Sequence, residues 1–111
     1  MNAPADIISV IDQRVKSSPI VLFMKGTPQF PQCGFSMRTA QALAACGVDF
    51  DSVDVLAEPE YRQALPQYSN WPTFPQLFVG GELVGGCDIV LDLFQQGELQ
   101  RMTREASPPA A

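Results

Sequence analysis

The chain has 111 residues, 46% apolar and 17% charged, with 7 basic and 12 acidic side chains giving a net charge of -5. That length suits one compact domain around one core, and the balance is that of a globular chain rather than a disordered one. The acidic excess argues against a duplex nucleic-acid binder, and the absence of histidine removes histidine triads, histidine bases and Cys2His2 zinc sites.

In chain order, Asp6 to Ser17 has Ile7, Ile8, Ile11 and Val15 at helical spacing, with Asp6 as N-cap and Pro19 as the stop. Ile20 to Met24 is a continuous apolar run, which predicts a strand buried on both faces. Lys25 to Gln32, with Gly26, Pro28 and Pro31, reads as a loop. Phe35 to Cys46 reads as a helix with Met37, Ala40, Leu43 and Ala44 on its inner face and Gly47 as the stop. Phe50 to Val55 nearly alternates and predicts a half-buried strand. Glu58 to Ser69 is helical with Pro59 near its first position, and Pro66 is expected to kink or end it early. Asn70 to Pro75 is irregular.

Gln76 to Val79, Gly80-Gly81 and Glu82 to Val84 form a hairpin with a two-residue glycine turn. Asp88 to Gln96 is an amphipathic helix bearing Ile89, Val90, Leu93 and Phe94; Gly97 interrupts it, and Leu99 to Glu105 extends it. Residues 1–105 are expected to form the domain, and 106–111 a flexible tail. The order α-β-α-β-α-β-β-α, with a right-handed first crossover, predicts a four-stranded mixed sheet between helix layers. That is the thioredoxin-like arrangement, of the α/β class.

No targeting signal is evident in MNAPADIISV, and the longest apolar stretch is far too short to span a bilayer. Three cysteines, at 33, 46 and 87, do not make a disulfide framework. Free thiols fit a reducing cytosol, so a cytoplasmic protein without membrane attachment is expected.

The chemistry falls where the first strand and loop meet a helix. Cys33 stands at that helix start, where unpaired N–H groups and the helix dipole stabilise a thiolate. Lys25, leaving the strand, can bring an ammonium near the sulfur. A lowered pKa makes Cys33 both a nucleophile and a soft metal ligand. Ser36 stands where a redox helix start carries its second cysteine, and a hydroxyl cannot resolve a mixed disulfide. Ser36 is otherwise an ordinary first-turn residue, and the two readings weigh equally. Gly85-Gly86-Cys87-Asp88 marks another helix start, which favours a carboxylate ligand, although an Asp after a glycine turn is often only a cap. Cys46 ends an apolar helix face and is assigned to packing.

Cys33-Gly34-Phe35-Ser36, preceded by Met24-Lys25-Gly26-Thr27-Pro28, resembles the monothiol glutaredoxin family, the CGFS class. Trp71-Pro72-Thr73-Phe74-Pro75-Gln76-Leu77 and Gly85-Gly86-Cys87-Asp88 match the family's two other motifs. The resemblance runs from about Ile8 to Thr103, in the short single-domain form. It implies a cis-proline loop at Thr73-Phe74-Pro75 and a glutathione site. The γ-glutamyl end would meet Cys87 and Asp88, the cysteinyl backbone Phe74, and the glycyl carboxylate Lys25 and Arg62. Gln67 is a further candidate contact, and Trp71 and Phe35 are packing or rim residues. The Cys87 backbone is read as binding ligand, its thiol as idle or as an occasional disulfide partner of Cys33.

The resemblance further implies a [2Fe-2S] cluster bridged between two subunits. Two Cys33 thiolates and two glutathione thiolates supply the four sulfurs such a cluster wants. The implied partners are BolA-like proteins and apo iron–sulfur proteins, with a homodimer when cluster-bound and a monomer as apo-protein. The competing reading is a single-cysteine, glutathione-dependent disulfide or deglutathionylation oxidoreductase. A redox or iron sensor is the third. The missing second thiol, and a Thr27–Gln32 loop longer than in dithiol glutaredoxins, tilt toward the carrier, with weak oxidoreductase activity at most.

Overall fold

A computed structural model of the chain describes residues 3–107. The elements are α1 (Ala3–Ser17), β1 (Ile20–Met24), α2 (Gly34–Ala45), β2 (Asp51–Asp54), α3 (Pro59–Ser69), β3 (Gln76–Val79), β4 (Glu82–Gly85), α4 (Cys87–Gln95) and α5 (Glu98–Ala106). The sheet order is β2-β1-β3-β4. β1 runs parallel to β2, with Met24 opposite Asp54, and antiparallel to β3, with Leu22 opposite Leu77. This is the thioredoxin-like mixed sheet.

Every residue of β1 is buried because helices cover both faces of the strand it occupies. Val21 and Phe23 point to the layer of α1 and α3, where they meet Ile11, Tyr61, Leu65 and Phe78. Ile20, Leu22 and Met24 point to α2, α4 and α5, against Leu43, Val90 and Leu99. Phe23 and Phe78 pack edge to face, with centroids 5.6 Å apart. Arg14 Nε donates to Asp51 Oδ2 at 2.8 Å and ties α1 to the β2 edge.

Four expectations change. The first helix begins at Ala3, so Asp6 lies inside it rather than capping it; Pro4 is tolerated in a first turn, where its missing N–H would have no partner anyway. The inner face of α2 is Ser36, Thr39, Ala40, Ala42 and Leu43, while Met37 and Ala44 are exposed. Thr39 turns inward because its hydroxyl donates to the Phe35 carbonyl at 2.9 Å and so leaves no unpaired polar group. Pro66 does not end α3, which continues to Ser69. Beyond it, Tyr68 Oη donates to Asp12 Oδ1 at 2.7 Å and Ser69 Oγ donates to the Leu65 carbonyl at 2.9 Å, so the turn that follows the proline is tied to α1 and back to its own helix. On α4, Ile89 is 39% exposed, so the amphipathic face is narrower than its apolar stripe suggests.

The remaining boundaries follow local rules. Gly80 and Gly81 have φ of +62° and +83°, the paired positive values that a two-residue hairpin turn requires. Gly97, at φ +77°, separates α4 from α5 as distinct helices. α5 takes in Ala106, and the Ser107 N–H closes it on the Thr103 carbonyl at 3.1 Å. The rest of the expected tail, 108–111, lies outside the described residues. Among the described residues no helix is long and apolar enough to cross a membrane.

Candidate functional site

The buried strand β1 ends at Met24 and hands the chain to the loop before Cys33. Gly26 has φ +92°, and a Cβ there would stand 2.6 Å from the Phe30 oxygen and 2.7 Å from the Gln32 nitrogen. Only glycine fits so tight a turn. The loop then closes on itself, with the Gln32 N–H on the Lys25 carbonyl at 3.0 Å and mutual Thr27–Phe30 backbone bonds at 3.1 and 3.2 Å. It returns the chain to Cys33, which is the N-cap of α2 in extended backbone geometry.

Cys33 is half-buried. Its thiol pKa is held below the usual value, first by the Ser36 backbone N–H, then by the Phe35 N–H, the Ser36 hydroxyl and the Lys25 charge, against the opposing effect of burial. Unpaired amides at a helix start thus act more strongly than the lysine. Ser36 is fully buried, and its Oγ accepts from the Lys25 N–H at 3.0 Å. It is therefore an integral part of the corner and not an idle first-turn residue.

A cleft of about 540 Å³ opens beside Cys33. It brings together Lys25, Cys33, Arg62, Phe74, Cys87 and Asp88, from five separate parts of the chain. Trp71, Thr73 and Phe35 are also among its walls. Gln67 is elsewhere, on a groove with Ile7, Ile8 and Pro59. Cys46 is also elsewhere; its Sγ donates to the Ala42 carbonyl at 3.3 Å, and burial pushes its thiol pKa up. Among the described residues, Lys25, Arg62 and Asp88 form no salt bridge with protein groups. The cleft thus presents two cations and one anion without protein partners.

The Phe74–Pro75 peptide bond is cis. Behind it lies Gln76, fully buried, whose Nε2 donates to the Trp71 carbonyl at 2.9 Å and the Thr73 carbonyl at 3.1 Å. Gln76 holds the loop from within. Its only signal in the sequence is a polar residue opening an apolar strand. A Cβ on Gly86 would come within 3.2 Å of Trp71 Nε1 and 3.3 Å of the Pro75 oxygen, so the glycine lets this loop press against the start of α4. At that start Cys87 is buried and Asp88 exposed, and the first-turn amides lack intrahelical partners. Among the described residues no three metal-ligating side chains gather.

A thioredoxin-like sheet that ends its central strand in a thiolate-stabilising helix start, opposite a cis-proline loop, defines a thiol-chemistry protein with a small-ligand cleft. Comparison with known proteins narrows the class. The glutaredoxin family model matches residues 20–84. "Glutaredoxin 4" of Escherichia coli is 55% identical over 100 residues, covering 90% of this chain and 87% of that protein. "Probable monothiol glutaredoxin GrlA" of Legionella pneumophila is 64% identical over 86 residues, covering 78% and 97%. Among solved structures, a buckwheat glutaredoxin–glutathione complex superposes with a TM-score of 0.82 at 27% identity, covering 94% of this chain and 93% of that one. The chain belongs to the glutaredoxin family, in its monothiol branch.

Proposed function

We propose that the protein binds glutathione in the Cys33 cleft and carries a [2Fe-2S] cluster between two subunits, for delivery in iron–sulfur protein biogenesis. The observation that supports this best is the pairing of one activated thiol, Cys33, with a buried, hydrogen-bonded serine at position 36. Such a corner stabilises a thiolate and has no neighbouring thiol in its first turn to consume it as a disulfide. A four-sulfur cluster then needs three more thiolates, and a second Cys33 with two glutathiones provides them.

The cleft suits the tripeptide. Its volume of about 540 Å³ is in the range of small-molecule sites. Lys25 and Arg62 supply cations for the glycyl carboxylate, and the amides of Cys87 and Asp88 with the Asp88 carboxylate suit the γ-glutamyl zwitterion. The Phe74 backbone beside a cis proline pairs with an extended cysteinyl unit in the manner of strand addition. The buckwheat relative was solved with glutathione, which supports the same ligand here. Cys33 ligates the cluster; Cys46 packs. BolA-like proteins and apo iron–sulfur proteins are the partners, the apo-protein is a monomer, and the cytoplasm is the compartment.

A second reading is favoured by the low Cys33 pKa. The Cys33 thiolate attacks the glutathione sulfur of a mixed disulfide, and the target protein leaves as a thiolate that takes up a proton. A second glutathione thiolate then attacks the glutathione sulfur held on Cys33, releasing glutathione disulfide and restoring the Cys33 thiolate. Anaerobic reconstitution with iron and sulfide separates the readings. Colour and dimerisation are expected with glutathione and not with an analogue in which serine replaces its cysteine. A holo-protein that forms equally well with no added thiol overturns the carrier reading.

A further inference from the structure

Cys33 is placed by its own helix, but Lys25 lies in the loop and depends on other elements. The amides of Lys25 and Gly26 follow directly on the last residue of β1, and a different element takes each. The Lys25 N–H donates to Ser36 Oγ of α2, and the Gly26 N–H donates to Asp54 Oδ1 at the end of β2, both at 3.0 Å. The same Asp54 oxygen accepts from the Leu56 N–H at 2.9 Å and, at 3.4 Å, from the Ala57 N–H. Among the described residues Asp54 makes no salt bridge, so its charge is spent on backbone amides. Its strand position is set by the ladder, since Asp54 pairs with Met24. Gly26, at φ +92° with no space for a Cβ, presents its amide in a geometry other residues rarely adopt.

We infer that Asp54 is a positioning residue for the glutathione cleft, which with Ser36 clamps the Lys25–Gly26 backbone and so aims the Lys25 ammonium at the ligand carboxylate. Neither Asp54 nor Ser36 lines the cleft; Asp54 acts through Lys25, whereas Ser36 holds the Lys25 amide and also bonds the Cys33 sulfur. The inference rests on reading the cleft as a glutathione site. The plainer alternative is that Asp54 only caps the turn between β2 and α3 through Leu56 and Ala57.

The test titrates the full chain with S-methylglutathione, which cannot exchange disulfides, and follows amide signals by NMR. Lys25→Ala is expected to weaken binding. Asp54→Ala is expected to weaken it about fivefold, the worth of one net hydrogen bond. Asp54→Asn, which keeps the acceptor oxygen, is expected to stay within about twofold of wild type. In a Lys25→Ala background, Asp54→Ala should add nothing. Gly26 amide exchange should quicken in Asp54→Ala and not in Asp54→Asn. If Lys25→Ala weakens binding and Asp54→Ala does not, the positioning role is overturned and the glutathione reading stands. An undiminished Asp54→Ala effect in the Lys25→Ala background overturns it too. If Lys25→Ala itself binds as wild type, the glutathione contact of Lys25 falls, and the inference falls with it. Should Asp54→Ala fail to fold, Ser36→Ala tests the other jaw with the same expected loss, which should vanish in the Lys25→Ala background; wild-type affinity, or a loss undiminished in that background, overturns the clamp.

Discussion

The two ends of α2 carry a cysteine each, and they differ in chemistry. Cys33 is the N-cap and Cys46 the C-cap of the same helix. At the start, amides of Ser36 and Phe35 point at the sulfur and lower its pKa. At the end, Cys46 faces carbonyls, donates to the Ala42 oxygen, and has its pKa raised by burial. Both are half-buried, but donor amides outweigh desolvation at Cys33, whereas desolvation prevails at Cys46, which has no such amides. A helix offers donors at one end and acceptors at the other, so one thiol is made a nucleophile or ligand and the other a small packing group.

The strongest way to break the comparison is to remove each sulfur. Cys33→Ser is expected to abolish cluster colour and iron content after reconstitution while the circular dichroism spectrum is retained. Cys46→Ser is expected to keep both. An equal loss in the two variants would show that position on the helix does not matter.

Alkylation against pH sharpens it further. The lowered Cys33 pKa keeps its thiolate down to a lower pH than an ordinary thiol, and the raised Cys46 pKa keeps that thiol protonated to a higher one. At neutral pH Cys33 should therefore react with iodoacetamide well ahead of Cys46. The two rates should converge only as pH rises above the Cys46 pKa. Mass spectrometry of partly labelled protein reads this out, and equal labelling at neutral pH would refute the polarity argument.

The smallest expected effect concerns Ser36→Cys, which puts a second thiol at the donor end. A disulfide with Cys33 should form in air, quicken cluster loss and raise glutathione-dependent reductase turnover modestly. The new sulfur is also a weaker acceptor for the Lys25 N–H than the hydroxyl it replaces, which limits the gain. If the disulfide forms and turnover stays at the wild-type rate, the loop before Cys33 becomes the better determinant.

Much of this molecule was legible in its sequence because local rules decided it. Five apolar residues in a row made β1, two glycines made the hairpin turn, and Gly47 stopped α2. Cys33 and Cys87-Asp88 at their helix starts, and Lys25 leaving its strand, followed from local position, whereas Phe74, and Arg62 inside α3, joined the site only through the family resemblance. Only the tertiary structure decided the rest. Which face of α2 turns inward depends on partners for Ser36 and Thr39, one of them the amide of Lys25 on another element. Pro66 stays inside α3, and the turn beyond it is tied to α1 where Tyr68 reaches Asp12. Gln76 reads as a strand residue until its amide is found holding Trp71 and Thr73, and Asp54 reads as one residue of a half-buried strand until its oxygen is found on Gly26. A local rule sees neighbours along the chain, whereas a buried polar side chain is settled by whichever donor or acceptor the fold brings within about 3 Å.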